Sequence, residues 1–208
     1  MSICPFHYRE YRCTDQGLIN QFIDTFPLAL ITSQLDRQFQ SSHIPLLRAI
    51  DGTLFGHVDR RNPQFNESTR LNCQIVFIGP SSYIPPEGYQ GKQLPTWNYL
   101  AVHMQAEVEV LHEEARNLEI LKQSADQLAR QRSAYSVDPQ DPRVLHNLPY
   151  ILGLSIHPRS IEGRFKLSQD KSKKDQEAAL EWILEQSRVD HKQLLDQLLL
   201  FSSFSANV

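Results

Sequence analysis

The chain has 208 residues and a mass of 24.0 kDa, enough for one ordinary hydrophobic core and a small appendage. Hydrophobic residues make up 40% and charged residues 22%, a balance that excludes wholesale disorder. A formal net charge of -3 and a pI near 6.2 argue against a broad basic face for gripping DNA.

The opening segment MSICPFHYRE lacks the basic-then-apolar pattern of a secretory signal. Cys4, Cys13 and Cys73 are odd in number and form no Cys-x-x-Cys pair, the pattern of reduced thiols in a cytoplasmic protein. Cys4 and His7 have a ligand-like spacing, but no second pair completes a zinc site. The longest apolar run, LDQLLLF, is far too short to span a membrane.

Thr14 and Asp15 ahead of GLINQFIDTF predict a short capped helix that Pro27 ends. LALITSQ (28–34) predicts a strand, followed by a polar turn, LDRQ. HIPLLRAI (43–50) and TLFGHVDR (53–60) flank Asp51-Gly52, the strongest hairpin signal in the chain, so 43–60 is expected as an antiparallel pair. Asn62-Pro63 stops the second of these strands and starts a turn. NCQIVFIGP (72–80) predicts a buried strand, and the proline- and glycine-containing stretch 81–95 a loop. TWNYLAVHMQAEVEVL (96–111) alternates over a long span and predicts a fifth strand. Leu118, Leu121, Ala125 and Leu128 fall on one face of a helix expected over 112–135. A short helix, VLHNLPYI, and a sixth strand over 153–167 with a kink at Pro158 come next. After the polar stretch 171–174, DQEAALEWILEQ and HKQLLDQLLLF predict two helical segments.

Consecutive strands with helices at the margins do not make a doubly wound sheet, which needs strand and helix to alternate. The expected fold class is mainly β with peripheral helices (α+β), a closed or half-closed antiparallel barrel.

There is no phosphate-binding glycine loop, GxSxG elbow or HExxH motif. His43, His57 and His103 stand on three different predicted strands. Without a carboxylate or cysteine at defined spacing they are expected as ordinary hydrogen-bonded histidines, and no metal is expected.

Three segments share another theme: SSHIP (41–45), GHVDRRNP (56–63) and LPTWNY (94–99) each place donors at a strand end. Arg60 and Arg61, adjacent on extended chain, point to opposite faces, so one can enter a cleft while the other is solvated. EGRFKLSQDK (162–171) repeats the theme with Arg164, Lys166, Ser168 and Gln169. A guanidinium, hydroxyls and backbone N–H groups suit a phosphomonoester. A Trp-Asn-Tyr run beside them suits a flat heteroaromatic ring, with apolar faces for stacking and an amide for its edge. The plainer alternative is a solvated arginine pair at a hairpin exit and a hydrogen-bonded cap on the barrel end.

In this order and at these intervals, HIPLL, GHVDRRNPQF, FIGPSSYIPP, PTWNYLAVH and IEGRFKLSQDK resemble the PaiB family, the FMN-binding negative transcriptional regulators. The resemblance covers roughly residues 1–175. It implies an FMN-binding split β-barrel that dimerises, with the flavin at the dimer interface. The motif positions that would hold FMN are Ser42, His43, Ile44, His57, Arg60, Asn62, Trp97, Asn98, His103, Lys166, Ser168 and Gln169. Arg61 replaces the family's usual small residue, and Asp170 stands where SQN is common. The implied organisation is a split-barrel domain over 1–170, with the helices of 112–150 inserted, and a helical extension over 171–208 packed on the barrel or the partner subunit.

Three functions compete. The first is a flavin-binding dimeric regulator. The second is a flavin-dependent oxidoreductase or a haem-handling relative, for which no protein base stands out, though a flavin supplies its own hydride chemistry. The third is direct DNA binding, disfavoured by charge and by the lack of helix-turn-helix spacing.

Overall fold

A computed structural model describes residues 8–129 and 135–185. The expected helix HKQLLDQLLLF, the Cys4–His7 spacing and residues 130–134 of the helix expected over 112–135 lie outside the described residues, and Tyr135 is not helical.

The sheet contains β1 (Arg12–Cys13), β2 (Leu28–Leu35), β3 (Gln38–Pro45), β4 (Leu47–Arg48), β5 (Leu54–Asp59), β6 (Arg70–Ile84), β7 (Thr96–Leu111) and β8 (Ile151–Lys166). Its strand order is β3-β2-β6-β7-β8-β5-β4. Helices α1 (Gln16–Thr25), α2 (Glu114–Ala129) and α3 (Pro142–Asn147) stand between strands, giving the α+β class expected. The Asp15 carboxylate caps α1 by accepting the Leu18 N–H at 3.0 Å, as the Thr-Asp signal requires.

Two elements differ from expectation. The tight hairpin joins β2 to β3 through Asp36 and Arg37, both left-handed at φ 48° and 65°, with Leu35 opposite Gln38. Residues 43–45 therefore belong to β3 and pair with β2. Only Leu47 and Arg48 pair across the Asp51-Gly52 turn, opposite Phe55 and Leu54. The chain breaks out of β3 at Leu46, whose N–H bonds to the Pro27 carbonyl at 2.8 Å. The second difference is length: β6 runs on to Ile84, into the stretch expected as loop, before a 3-10 turn at Pro86–Gly88.

The chain divides into two compact units. The first comprises Cys13–Ile78 and Ala101–Gly163. Its core is built from alternate strand residues, among them Ile31, Ile75, Phe77, Met104, Leu152 and Leu154, all fully buried. Helix α2 covers the other face of β5, where Ile120 meets Leu47, Phe55 and Leu111. Its buried stripe is Asn117, Ile120 and Ser124, while Leu118 and Leu121 are half-buried and Leu128 is exposed. The stripe expected from leucine spacing is thus rotated, because Asn117 takes a position that hydrophobicity alone would not assign. Its amide accepts the Gly153 N–H at 2.8 Å and donates to the Ile151 carbonyl at 2.9 Å, fixing α2 to the start of β8. Gly153 is required there: a Cβ would lie 2.8 Å from the Asn117 Oδ1.

Among the described residues, the second unit comprises the segment ending at Arg12, Gly79–Leu100 and residues 164–185. A helix over 173–185 packs Ala179 and Ile183 against Ile84 and Tyr89. Asp175 anchors its first turn: the carboxylate accepts from Gly91 N at 2.8 Å, Ser172 Oγ at 2.9 Å and Gln93 Nε2 at 3.0 Å. Among the described residues no helix is long and apolar enough to cross a membrane.

Candidate functional site

In the first unit, strand alternation separates the expected residues of β3. Ser42 and Ile44 point toward the core side, opposite the buried Ile31 and Ala29. His43 points outward, opposite Leu30. Ser42 is held in a polar cluster whose centre the sequence reading missed. The Gln64 side chain, 1% exposed, accepts the Ser42 hydroxyl at 2.7 Å. Its amide donates to Ser33 Oγ at 3.1 Å and to the Ile31 and Gln40 carbonyls, each at 3.2 Å. Asn62 Nδ2 donates to Ser42 Oγ at 3.0 Å, and Asn62 Oδ1 accepts the Gln64 N–H at 3.0 Å. The NPQ of the GHV-x-R-x-NPQ motif therefore folds back onto β2 and β3. Gln64 stands in that motif, but its burial is a tertiary fact and leaves no local periodicity.

Arg60 Nε donates to the Pro149 carbonyl at 2.7 Å and Nη2 to the Ile151 carbonyl at 3.4 Å. Arg61 forms a two-bond pair with Asp59 at 3.0 and 2.7 Å, solvated at 82% side-chain exposure. That guanidinium, with the backbone N–H of Arg61, holds the Asp59 carboxyl down to about 2. Gly56, inside the same motif, lets the Pro45 carbonyl approach: a Cβ would meet it at 2.7 Å.

The outward face of β2, β3 and β6 is graded. Leu28 lies opposite Pro45; Leu30 lies between His43 and Val76; Thr32 lies between Ser41 and Gln74. The Thr32 and Ser41 hydroxyls are 2.9 Å apart. Leu28 and Ile78 remain 55% and 60% exposed, an apolar face that the described residues leave uncovered. A groove of about 550 Å³ runs over it, lined by Phe26, Leu30, His43, Val76, Ile78 and Leu128.

His57 faces a different hollow, of about 430 Å³, between β5 and α2; its only lining residue shared with the groove is Leu128. The ring is open to solvent at the mouth, yet the surrounding walls desolvate it and lower its pKa below the ordinary histidine value. His103 is half-buried on β7, one residue past the fully buried Val102.

In the second unit the structure brings Asn98 and Ser168 together. Asn98 is fully buried and donates to Ser168 Oγ at 2.9 Å, and Tyr89 Oη lies 3.0 Å from the same oxygen. Ser168 holds a left-handed backbone, φ 63°. Gln169 closes a local turn, accepting the Leu167 N–H at 2.7 Å and donating to the Phe165 carbonyl. Lys166 Nζ donates to Thr96 Oγ1 at 2.6 Å and stands 5.7 Å from the Tyr11 ring centroid. Tyr11 donates to Asp170 at 3.3 Å; burial and then that carboxylate raise its pKa to about 12. Trp97, by alternation, turns outward and is half-exposed. The LPTWNY run thus divides between a buried hydrogen-bonded amide and an exposed indole.

The donor set fits a flavin in one respect that the structure itself supplies. The groove offers an apolar bed for a planar ring, with a hydroxyl row beside it for a polyol chain.

The comparisons define the class first. The fold is that of flavin-binding split β-barrels. It is similar to the FAD and heme binding protein from Mycobacterium smegmatis, with a TM-score of 0.61 at 14% identity, covering 81% of this chain and 80% of that one. It is also similar to the flavocytochrome Anf3 from Azotobacter vinelandii, with a TM-score of 0.59 at 15% identity, covering 77% and 72%. Residues 6–160 match the family described as "Putative FMN-binding domain", and the chain belongs to that family. Among curated relatives, the protease synthase and sporulation protein PAI 2 of Bacillus subtilis is 29% identical over 147 residues, 68% of this chain and 69% of the relative.

Proposed function

We propose that this chain is a dimeric, FMN-binding regulator of the PaiB type, with the flavin lying in the groove over β2, β3 and β6 where a second copy covers it. The observation that carries the reading is the uncovered apolar face at Leu28, Leu30 and Ile78, with His43 in its midst. Solvated apolar faces of this kind mark ligand or protein contacts. His43 would meet the ring edge, and Thr32 and Ser41 would bond the ribityl hydroxyls. From the core side, Ser42, Ile44, Asn62 and Gln64 would hold the strands in place. When bound, the flavin supplies hydride and electron chemistry that no side chain here offers.

The motif resemblance to the PaiB regulators supports regulation, and the net charge of -3 favours action through protein or ligand contact over operator recognition. The unpaired Cys13 and Cys73 suit a cytoplasmic setting. A redox enzyme is the second reading, favoured by the flavin- and haem-binding proteins that share the fold.

The test is light scattering of the protein with FMN, beside a Leu28→Asp variant. A dimer that takes up FMN, and a variant that is monomeric and binds flavin at least tenfold more weakly, are expected. A monomeric wild-type protein, or a Leu28→Asp variant that binds FMN as tightly as the wild type, would overturn the placement. Steady oxidation of reduced nicotinamide with a defined acceptor would favour the enzyme.

A further inference from the structure

The cavity beside His57 is not accounted for by the flavin groove. Its walls are mostly apolar: Leu121 and Ala125 of α2, Val137, Val144 of α3, and Ile151 of β8. At the rim, Arg143 and Asp141 neutralise each other through an ion pair at 2.5 Å.

Four further polar residues interrupt the lining: Tyr135, Asn147, whose amide donates to the Arg143 carbonyl at 2.8 Å, and two that bond no described residue, Ser124 and His57. Ser124, in the middle of α2, is only 6% exposed. A serine at such a position ordinarily bonds the carbonyl one turn back. Here no described residue accepts from or donates to its hydroxyl. The hydroxyl is not among the fully buried atoms, so it opens into the cavity, where a ligand can take the place of water on it. The second group is His57, which likewise bonds no described residue. Desolvation keeps its imidazole neutral, with one donor and one acceptor nitrogen.

We propose that this cavity binds a second small molecule beside the flavin: a neutral, largely apolar ring compound carrying one hydroxyl or carbonyl group, held by Ser124 and His57. An anion or cation is disfavoured because the lining offers it no unpaired opposite charge. The two hollows share Leu128 as a lining residue, so such a molecule would lie close to the proposed flavin groove. The proposal does not rest on the flavin reading, since the lining residues other than Leu128 are its own.

The experiment is a fluorine NMR titration of 4-fluorophenol, neutral at pH 7, against the full chain with and without FMN. Saturable one-to-one binding is expected in both cases. Ser124→Ala, which removes one hydrogen bond, is expected to weaken it about fivefold. Ala125→Phe, which fills the cavity, is expected to abolish it, and FMN should titrate unchanged into both variants. Non-saturating broadening, or affinity indifferent to Ser124→Ala, would overturn the proposal. Displacement of the probe by one equivalent of FMN would also overturn it, by making the cavity part of the flavin site. Failure of FMN to bind while the probe does would count against the flavin reading alone.

Discussion

Gln64 accepts the hydroxyl proton of Ser42 at 2.7 Å from inside the first unit, and its own amide reaches Ser33 and two backbone carbonyls of β2 and β3. One side chain thereby ties the 62–64 turn to the hairpin that carries the proposed flavin face. Gln64→Leu keeps the volume but leaves Ser42, Ser33 and the Gln40 carbonyl short of a partner in a buried site. A loss of about 2–4 kcal/mol is expected in urea unfolding. An unchanged midpoint would show that water replaces the amide.

The β2–β3 turn stores strain. Arg37 adopts φ 65°, a conformation that a side chain disfavours by about 1–2 kcal/mol. A two-residue turn of this hand is ordinarily built with Asn-Gly or Asp-Gly. Arg37→Gly is therefore expected to stabilise the first unit by roughly 1 kcal/mol, less the entropy glycine adds to the unfolded chain. A lower melting temperature would mean that the Arg37 side chain makes a compensating contact.

That turn also shows what could be read in advance and what could not. Strand β7 is found at Thr96–Leu111, where the alternation of TWNYLAVHMQAEVEVL predicted it, and the Asp15 cap and Pro27 bound α1 as expected. Those signals are local. The polar turn LDRQ is found where it was expected, but Asp36-Arg37 carries no glycine, so nothing local marked it, rather than the louder Asp51-Gly52, as the tight hairpin that starts a long ladder. At the candidate site, motif spacing singled out Ser42 and His43 together. The two-residue period of a strand then sends them to opposite faces, so one braces the fold while the other meets the groove. Gln64 and Ser124 gave no signal, because a buried polar group is recognisable only once its surroundings are assembled.

In the second unit, Asp175 makes stability depend on acid. The Gly91 N–H above all, then Ser172 and Gln93, hold its carboxyl below the ordinary carboxylate range. Its contribution is fully present above the unfolded pKa of about 3.9 and is lost as pH falls through the lower native value. Both tryptophans of the chain, Trp97 and Trp182, belong to this unit, so indole fluorescence reports on it. The emission is expected to hold steady from pH 7 to about 4 and to change below. Asp175→Asn should flatten that acid limb. An acid transition identical in the variant would assign it to another group.

The most direct measurement is a fluorescence titration of FMN with the purified protein at pH 7. Quenching that saturates at one flavin per chain, and that His43→Glu weakens at least tenfold while the unfolding midpoint is unchanged, is the expected result. Flavin emission that stays constant through a large excess of protein would contradict the assignment of this face to FMN.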